Sequence, residues 1–306
     1  MTEKSIKKLS VNKDDAGMRL DVYLAAMSDQ TRSQIQKLIN EGLVLVNEKI
    51  KYPHYKVKPD EIIEIKQKKE ARKNEKEHQL KIIFQNKDFI VIDKSSGLIV
   101  HPPHARSKET ALTDLLVKDF PEIKNVGEKT RPGIVHRLDK EVSGLMAATR
   151  NTEAYEFLKT EFKERRVKKI YTGLVHGKLR ESQGEISFKI ARGVKGGRMA
   201  ARPKSQEGKE ALTFYRVIKK FTNFTLVEIE LKTGRTHQIR AHFHALGHPL
   251  AGDPLYKPKR AGKILPPRIF LHSTILGFNN LNNEWLEFTS PLPEELEQFL
   301  TDLKTL

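Results

Sequence analysis

Asp139 lies in the run Gly133-Ile134-Val135-His136-Arg137-Leu138-Asp139-Lys140-Glu141-Val142-Ser143, closed by Gly144-Leu145. This stretch is apolar and punctuated by glycine, with basic side chains on both sides of the aspartate. A carboxylate that is to act as a nucleophile must stay ionised although partly buried, and adjacent cations favour its charged form against desolvation. Asp139 is therefore the candidate nucleophile. A second concentration of reactive side chains is His237, His242, His244 and His248, four imidazoles within twelve residues. Their spacing argues against a metal-dependent hydrolase or nuclease. Neither a strand nor a helix brings all four to one face, and no HExxH-type pattern occurs, so no metal is expected. The chain has no cysteine, which excludes a thiolate nucleophile, a disulfide framework and cysteine-ligated zinc.

The formal charge is +17, from 56 Lys and Arg against 39 Asp and Glu. An excess of that size creates a field that attracts polyanions, and nucleic acid is the first candidate. With 306 residues, 38% of them hydrophobic, the chain can build one large core and one small one. Met1–Ser10 has lysines but no apolar centre of the signal-peptide kind, and no run of about 18 apolar residues occurs. A cytoplasmic, soluble protein without membrane contact is expected.

Four segments organise the chain: a tail over residues 1–16, a compact module over 17–65, a charged linker over 66–80 and a large domain over 81–306. In the module, Arg19-Leu20-Asp21-Val22-Tyr23-Leu24 begins a helix. Thr31-Arg32-Ser33-Gln34 offers a capping box for a second helix, with Ile35, Leu38 and Ile39 on one face. Gly42 ends it, and short strands follow at Leu43–Asn47 and Ile62–Ile65, with turns at Asn47-Glu48 and Pro59-Asp60. The linker is dominated by Lys, Arg and Glu and cannot bury enough surface to fix its own fold. From Ile82 onward short β-rich runs (Ile82–Phe84, Phe89–Ile92, Phe224–Leu231) alternate with turns and a few helices. The clearest helix is Asn151–Arg166, with Ala154, Phe157, Leu158 and Phe162 at helical spacing as core residues. Phe188–Phe214 reads as a basic hairpin interrupted by Gly193, Gly196 and Gly197. Regular βαβ alternation is absent, so an α+β domain on a largely antiparallel mixed sheet is expected.

The run around Asp139 resembles the HRLD-type motif of the RluA family of pseudouridine synthases, in its RluD-like branch. Three further blocks, in the family's order, carry the resemblance. Ile92-Asp93-Lys94-Ser95-Ser96-Gly97-Leu98-Ile99-Val100-His101-Pro102 is similar to its first motif, and Lys169-Ile170-Tyr171-Thr172-Gly173-Leu174-Val175-His176-Gly177 to its tyrosine motif. Gly234-Arg235-Thr236-His237-Gln238-Ile239-Arg240-Ala241-His242, running into Gly247–Tyr256, is similar to the next. Two positions depart: Ser95 stands where the family usually has proline, and Val142 where it usually has threonine, removing a hydroxyl that could support the Asp139 loop. The module over 17–65 resembles the small α+β RNA-binding domain named after the fourth ribosomal protein of the small subunit.

The resemblance implies an isomerase that breaks the bond from uracil nitrogen to sugar, turns the base and rejoins it through carbon. It requires no cofactor, which agrees with the lack of a phosphate-binding loop or dinucleotide fingerprint. Asp139 is the implied nucleophile, attacking sugar or base. Tyr171 is implied to pack on the uracil, the alternative being a buried strand tyrosine, and Arg240 to pair with the aspartate. A stacked base is unreachable, so the uridine must be flipped out. Arg137 is implied to fill the space beside it and His136 to contact RNA, although His136 could equally be a structural hydrogen bonder. Arg19, Arg32, Ser33 and Lys37 are the expected phosphate contacts of the small module. Lys189, Arg192, Lys195, Arg198, Arg202 and Lys204 form either an RNA clamp or a solvated charged loop. The expected partner is structured RNA, ribosomal RNA of the large subunit before transfer RNA, with no DNA, and the chain is expected to be a monomer. The rival without chemistry is an RNA-binding or ribosome-assembly protein.

Overall fold

The structure, a computed structural model, describes residues 7–28, 30–40, 42–65, 79–102, 107, 109–193, 198–258, 262 and 264–304. The first six residues of the expected tail, residues 66–78 of the expected linker, and Lys195, Gly196 and Gly197 of the hairpin lie outside the described residues. The chain divides into two compact units, Met1–Glu77 and His78–Leu306.

The first unit contains β1 (Lys7–Ser10), α1 (Leu20–Ala26), α2 (Arg32–Asn40), β2 (Val44–Val46), β3 (Lys49–Ile50) and β4 (Ile62–Ile65). Its sheet runs β1-β4-β2-β3, all antiparallel. Thr31 and Gln34 cap α2 reciprocally: the Thr31 amide donates to Gln34 Oε1 (2.8 Å) and the Gln34 amide to Thr31 Oγ1 (3.4 Å). The two-residue connection Asn47-Glu48 takes positive φ at both positions (46° and 64°), the conformation that matches the twist of a tight hairpin. Leu20, Leu24, Ile35, Ile39, Val44 and Ile63 close the core. One boundary is corrected here. Lys7–Ser10, read from sequence as tail, pairs along β4. Four residues with two lysines carry too little hydrophobic alternation to announce an edge strand.

The second unit holds β5 (Ile82–Gln85), β6 (Phe89–Lys94), α3 (Leu112–Asp119), the short ribbon β7 (Gly127–Glu128) and β8 (Arg131–Pro132), β9 (Ser143–Thr149) and α4 (Thr152–Lys163). β10 (Lys168–His176), β11 (Gln183–Ile186), β12 (Lys189–Arg192), β13 (Met199–Arg202), β14 (Thr213–Lys220) and β15 (Phe224–Leu231) follow. The last elements are α5 (Gln238–Ala245), β16 (Leu271–Asn279), β17 (Trp285–Thr289) and α6 (Glu294–Thr301). The main sheet is ordered β11-β14-β15-β10-β16-β9-β6-β5, with β17 on the far half of β16. Every neighbour is antiparallel except β9 with β16, which run parallel through His272↔Ser143 and Ser273↔Gly144. The fold is thus α+β on a mixed, largely antiparallel sheet.

Both faces of the central strands are covered. In β6, Ile90 and Ile92 enter one core while Phe89 and Val91 enter the other; in β9, Met146 and Ala148 oppose Leu145 and Ala147. That is why these strands read as unbroken apolar runs. α4 starts where Asn151 Oδ1 accepts the Ala154 amide (2.8 Å) and buries Ala154 and Leu158. Thr213 and Phe214, placed in the basic hairpin by the sequence reading, belong to β14. Thr213 pairs with Ile186 on one side and Leu231 on the other and is fully buried. Among the described residues no helix is long and apolar enough to cross a membrane.

Candidate active site

The connection from β8 to β9 carries Asp139, and three neighbours fix its shape. Lys94, at the end of β6, is 2% exposed and donates to the carbonyls of Ser95 (2.9 Å), Leu98 (2.8 Å) and Lys140 (3.2 Å). Gly97 N–H also donates to Lys140 O (2.8 Å), and Ser96 Oγ donates to Glu141 O (2.6 Å). Burial pushes the Lys94 ammonium down to about 7, with Asp139 and Glu141 acting the other way. The first sequence block is therefore the clasp of the Asp139 loop. At its departing position, Ser95, the clasp uses the backbone carbonyl, which any residue supplies. At the other, Val142, the amide closes the turn onto Asp139 O (3.1 Å) and the side chain is buried in the core. The loop then enters β9 at Gly144, whose φ of 114° and close approach to Ser273 (a Cβ would lie 2.4 Å from its carbonyl oxygen) admit only glycine.

Arg240, on α5, is 2% exposed and reaches three carboxylate oxygens. Its Nε and Nη2 donate to Asp253 Oδ2 (2.7 Å) and Oδ1 (2.9 Å), and its Nη1 donates to Asp139 Oδ2 (2.9 Å). Burial opposes the guanidinium charge, but the Asp253 hydrogen bonds and the charges of Asp253 and Asp139 outweigh it, and the group is held above its ordinary range. Asp253 is likewise buried, which alone would raise it. Arg240, with the amides of Tyr256 and Leu255, brings it below the usual carboxylate range. Arg240 is thus pinned by a bidentate fork on one side and aims its remaining nitrogen at Asp139.

Tyr171 on β10 is 6% exposed. Burial raises its phenol well above the ordinary value, and Asp139 adds to this while Ser273 works against it. The group is a neutral phenol that lines the same cavity as Asp139. His237 begins α5 in the left-handed region (φ 53°) and places Nε2 3.7 Å from Asp139 Oδ2 and Nδ1 3.2 Å from Tyr256 Oη. Burial lowers its pKa, opposed by Asp139. Tyr256 also exchanges two hydrogen bonds of 2.8 Å with the Met199 backbone on β13, and its ring lies 5.3 Å from the Arg240 guanidinium. One phenol therefore joins the basic hairpin to the groups around Asp139.

Asp139, Tyr171, Arg240, His136 and Arg137 line one cavity of about 530 Å³. Arg137 is exposed at its rim. His136 has a structural role that the sequence left open: its Nε2 accepts the Ala147 amide (2.9 Å) and its ring stacks on Phe162 at 4.5 Å. Desolvation, helped by the charge of Lys169, pushes it down to about 3, so it carries no charge for RNA at neutral pH. Phe162, read from sequence as core, also lines the cavity. Arg19, Arg32, Ser33 and Lys37 lie in the first unit and are exposed. Arg19 and Arg32 both bind the buried Asp21, at 3.0 and 2.9 Å. Arg192 and Arg198 are exposed on the hairpin. Three of the four crowded imidazoles have separate hydrogen-bonding partners. His242 is engaged by Thr213 and Phe188 O, His248 by His176 O, and His237 by Tyr256. Sequence reasoning missed the roles of Lys94, Asp253 and Tyr256, although all three fall inside the blocks it singled out.

The RNA pseudouridylate synthase family model matches residues 88–245, and the S4 domain model matches residues 18–63. The chain belongs to the RNA pseudouridylate synthase family. An uncharacterised RNA pseudouridine synthase of Bacillus subtilis is 33% identical to this RNA pseudouridine synthase, over 97% of each chain. A protein of Nitrosomonas europaea named ribosomal large subunit pseudouridine synthase D is 38% identical, over 98% of this chain and 88% of its own. The solved structure of human RNA pseudouridylate synthase domain containing 1 aligns with a TM-score of 0.61 at 28% identity, covering 74% of this chain and 89% of its own. The small first unit is accordingly an S4 domain preceding a synthase domain.

Proposed function

We propose that this synthase isomerises uridines of large-subunit ribosomal RNA, with Asp139 as the nucleophile acting on a flipped-out uridine. The observation that carries the chemistry is the Arg240 fork. Arg240 engages Asp139 Oδ2 alone, and Oδ1 has no hydrogen bond among the described residues. The carboxylate is thereby oriented with one oxygen free to attack, the positional advantage that a protein contributes to such a step. Attack on the sugar carbon releases the uracil nitrogen. Attack on the base forms a covalent adduct from which the same bond breaks. In both routes the uracil turns, a ring carbon bonds to the sugar, the bond to Asp139 breaks and returns the free carboxylate, the ring carbon loses its proton and the freed nitrogen gains one, so atoms balance without a cofactor. Tyr171 supplies a flat apolar face and a neutral hydroxyl and does not serve as an anionic base at neutral pH. Arg137 at the rim occupies the gap left by the flipped nucleotide, at a cost of a few kcal/mol of unstacking.

The target class rests on relatives named for the large subunit and on the S4 domain, whose Arg19, Arg32, Ser33 and Lys37 would meet phosphates. Arg192 and Arg198 of the hairpin would do the same, and the protein would work as a monomer in the cytoplasm. The test maps pseudouridines in total RNA from cells with and without the gene, complemented by wild type or Asp139→Asn. Loss of specific large-subunit sites, restored only by wild type, is expected. Loss confined to transfer RNA would overturn the target, and restoration by Asp139→Asn would overturn the nucleophile.

A further inference from the structure

Lys169 has no use in the chemistry above, yet it lies two residues before Tyr171 on β10 and lines the same cavity. Residues at this spacing in a strand point to the same face, roughly 7 Å apart, within the reach of a single nucleotide. Lys169 is 6% exposed, and no carboxylate or carbonyl lies within hydrogen-bonding distance of its ammonium among the described residues. Its Nζ lies over the Phe162 ring, 5.4 Å from the centroid. Buried lysines are ordinarily paired, because an ammonium that has lost most of its water without a counter-ion is costly. The surroundings make matters worse: Arg165 and Lys232 are near enough for their charges to act on Lys169, and the one acid nearby, Glu230, is already bound to Lys232. Arg165 is exposed at the positive-φ position that follows α4 and has no acidic partner among the described residues. Three cations share one acid at the wall of a cavity built for a nucleotide. Desolvation brings Lys169 down only to about 8, so it is still mostly cationic at neutral pH.

We infer that Lys169, flanked by Arg165 and Lys232, is the binding site for a backbone phosphate adjoining the flipped uridine. This rests on the proposed action on a flipped nucleotide. It assigns to the cavity a second job, gripping the backbone while Asp139 and Tyr171 handle sugar and base. The phosphate relieves the repulsion within the cluster, of which only Lys232 has an acidic partner among the described residues.

The test is a cycle between protein and RNA. Wild type, Lys169→Met and Lys169→Arg, each checked by thermal melting, are assayed in single turnover on a large-subunit ribosomal RNA fragment carrying one mapped target uridine. Versions of that RNA carry a neutral methylphosphonate at either the 5′ or the 3′ phosphate of the target. Lys169→Met is expected to weaken RNA binding by about 10- to 100-fold and to lower the salt slope by about one, with Lys169→Arg restoring most of the loss. One of the two methylphosphonates should impose a similar penalty on wild type and none on Lys169→Met. Penalties that multiply for both phosphates, or full affinity in a folded Lys169→Met, would overturn the inference. If wild type leaves the unmodified RNA unchanged, the proposed target has failed instead. The cycle is then run on whichever RNA the mapping identifies.

Discussion

Asp253→Asn probes the central geometric claim without touching a group that meets the substrate. The substitution keeps the size of the side chain and removes the charge that pins Arg240 through two hydrogen bonds of 2.7 and 2.9 Å. An amide can still accept one of these bonds but turns its own N–H groups towards the guanidinium or the amides of Leu255 and Tyr256. Removing one partner of a buried ion pair costs about 3–5 kcal/mol. The retained acceptor and the second counter-ion, Asp139, favour the lower end. For a unit of this size the midpoint falls about 2–4 °C per kcal/mol, so a drop of roughly 6–12 °C is expected by differential scanning calorimetry. Arg240 loses one of its three fixed directions, and a displacement of the group it orients by the order of 1 Å costs about 100-fold in rate. Tritium release from the uracil ring in single turnover measures that rate below the lowered melting temperature, and RNA affinity is measured alongside. A variant that melts early yet turns over like wild type would show that the aim of Arg240 does not depend on Asp253.

Tyr256→Phe removes the hydroxyl that serves the Met199 amide, the Met199 carbonyl and His237. It should cost about 1–3 kcal/mol and speed amide hydrogen exchange at Met199 more than in the core of β10. Gly144→Ala forces a side chain into a backbone with φ of 114° and against the Ser273 carbonyl. It should cost more than about 2 kcal/mol, read from urea unfolding. His136 titrates near 3 when folded and near 6.5 when unfolded, so between those values the unfolded chain binds the extra proton. Its contribution to stability is complete above pH 6.5 and is lost as the pH falls towards 3, at up to about 1.4 kcal/mol per unit. His136→Gln should flatten that limb of the stability profile, and an unchanged acid limb would refute the assignment.

What the sequence made legible, and what it hid, follows from where each interaction is encoded. Asp139, Tyr171 and Arg240 could be singled out because each lies in a short run whose residue types are unusual together, and the capping box at Thr31 and Gln34 could be read because both partners are three residues apart. The left-handed hairpin at Asn47-Glu48 was equally local. The parallel contact of β9 with β16 joins residues more than 120 positions apart, and no periodicity within either strand records which neighbour it will take. Lys94 illustrates the same limit at the level of chemistry. A lysine beside an aspartate in a glycine-containing loop reads as solvated, and only the folded chain surrounds its ammonium with the carbonyls of Ser95, Leu98 and Lys140. Asp253 was in view but without a role, because its value comes from a guanidinium on another element. His136 went the other way: its charge in the sequence disappears once the ring is desolvated against Phe162 and accepts the Ala147 amide. Residues proposed to meet the substrate are thus written locally. The residues that hold them are written across the fold, and the cost of losing Asp253 or Lys94 should exceed that of any exposed lysine for that reason.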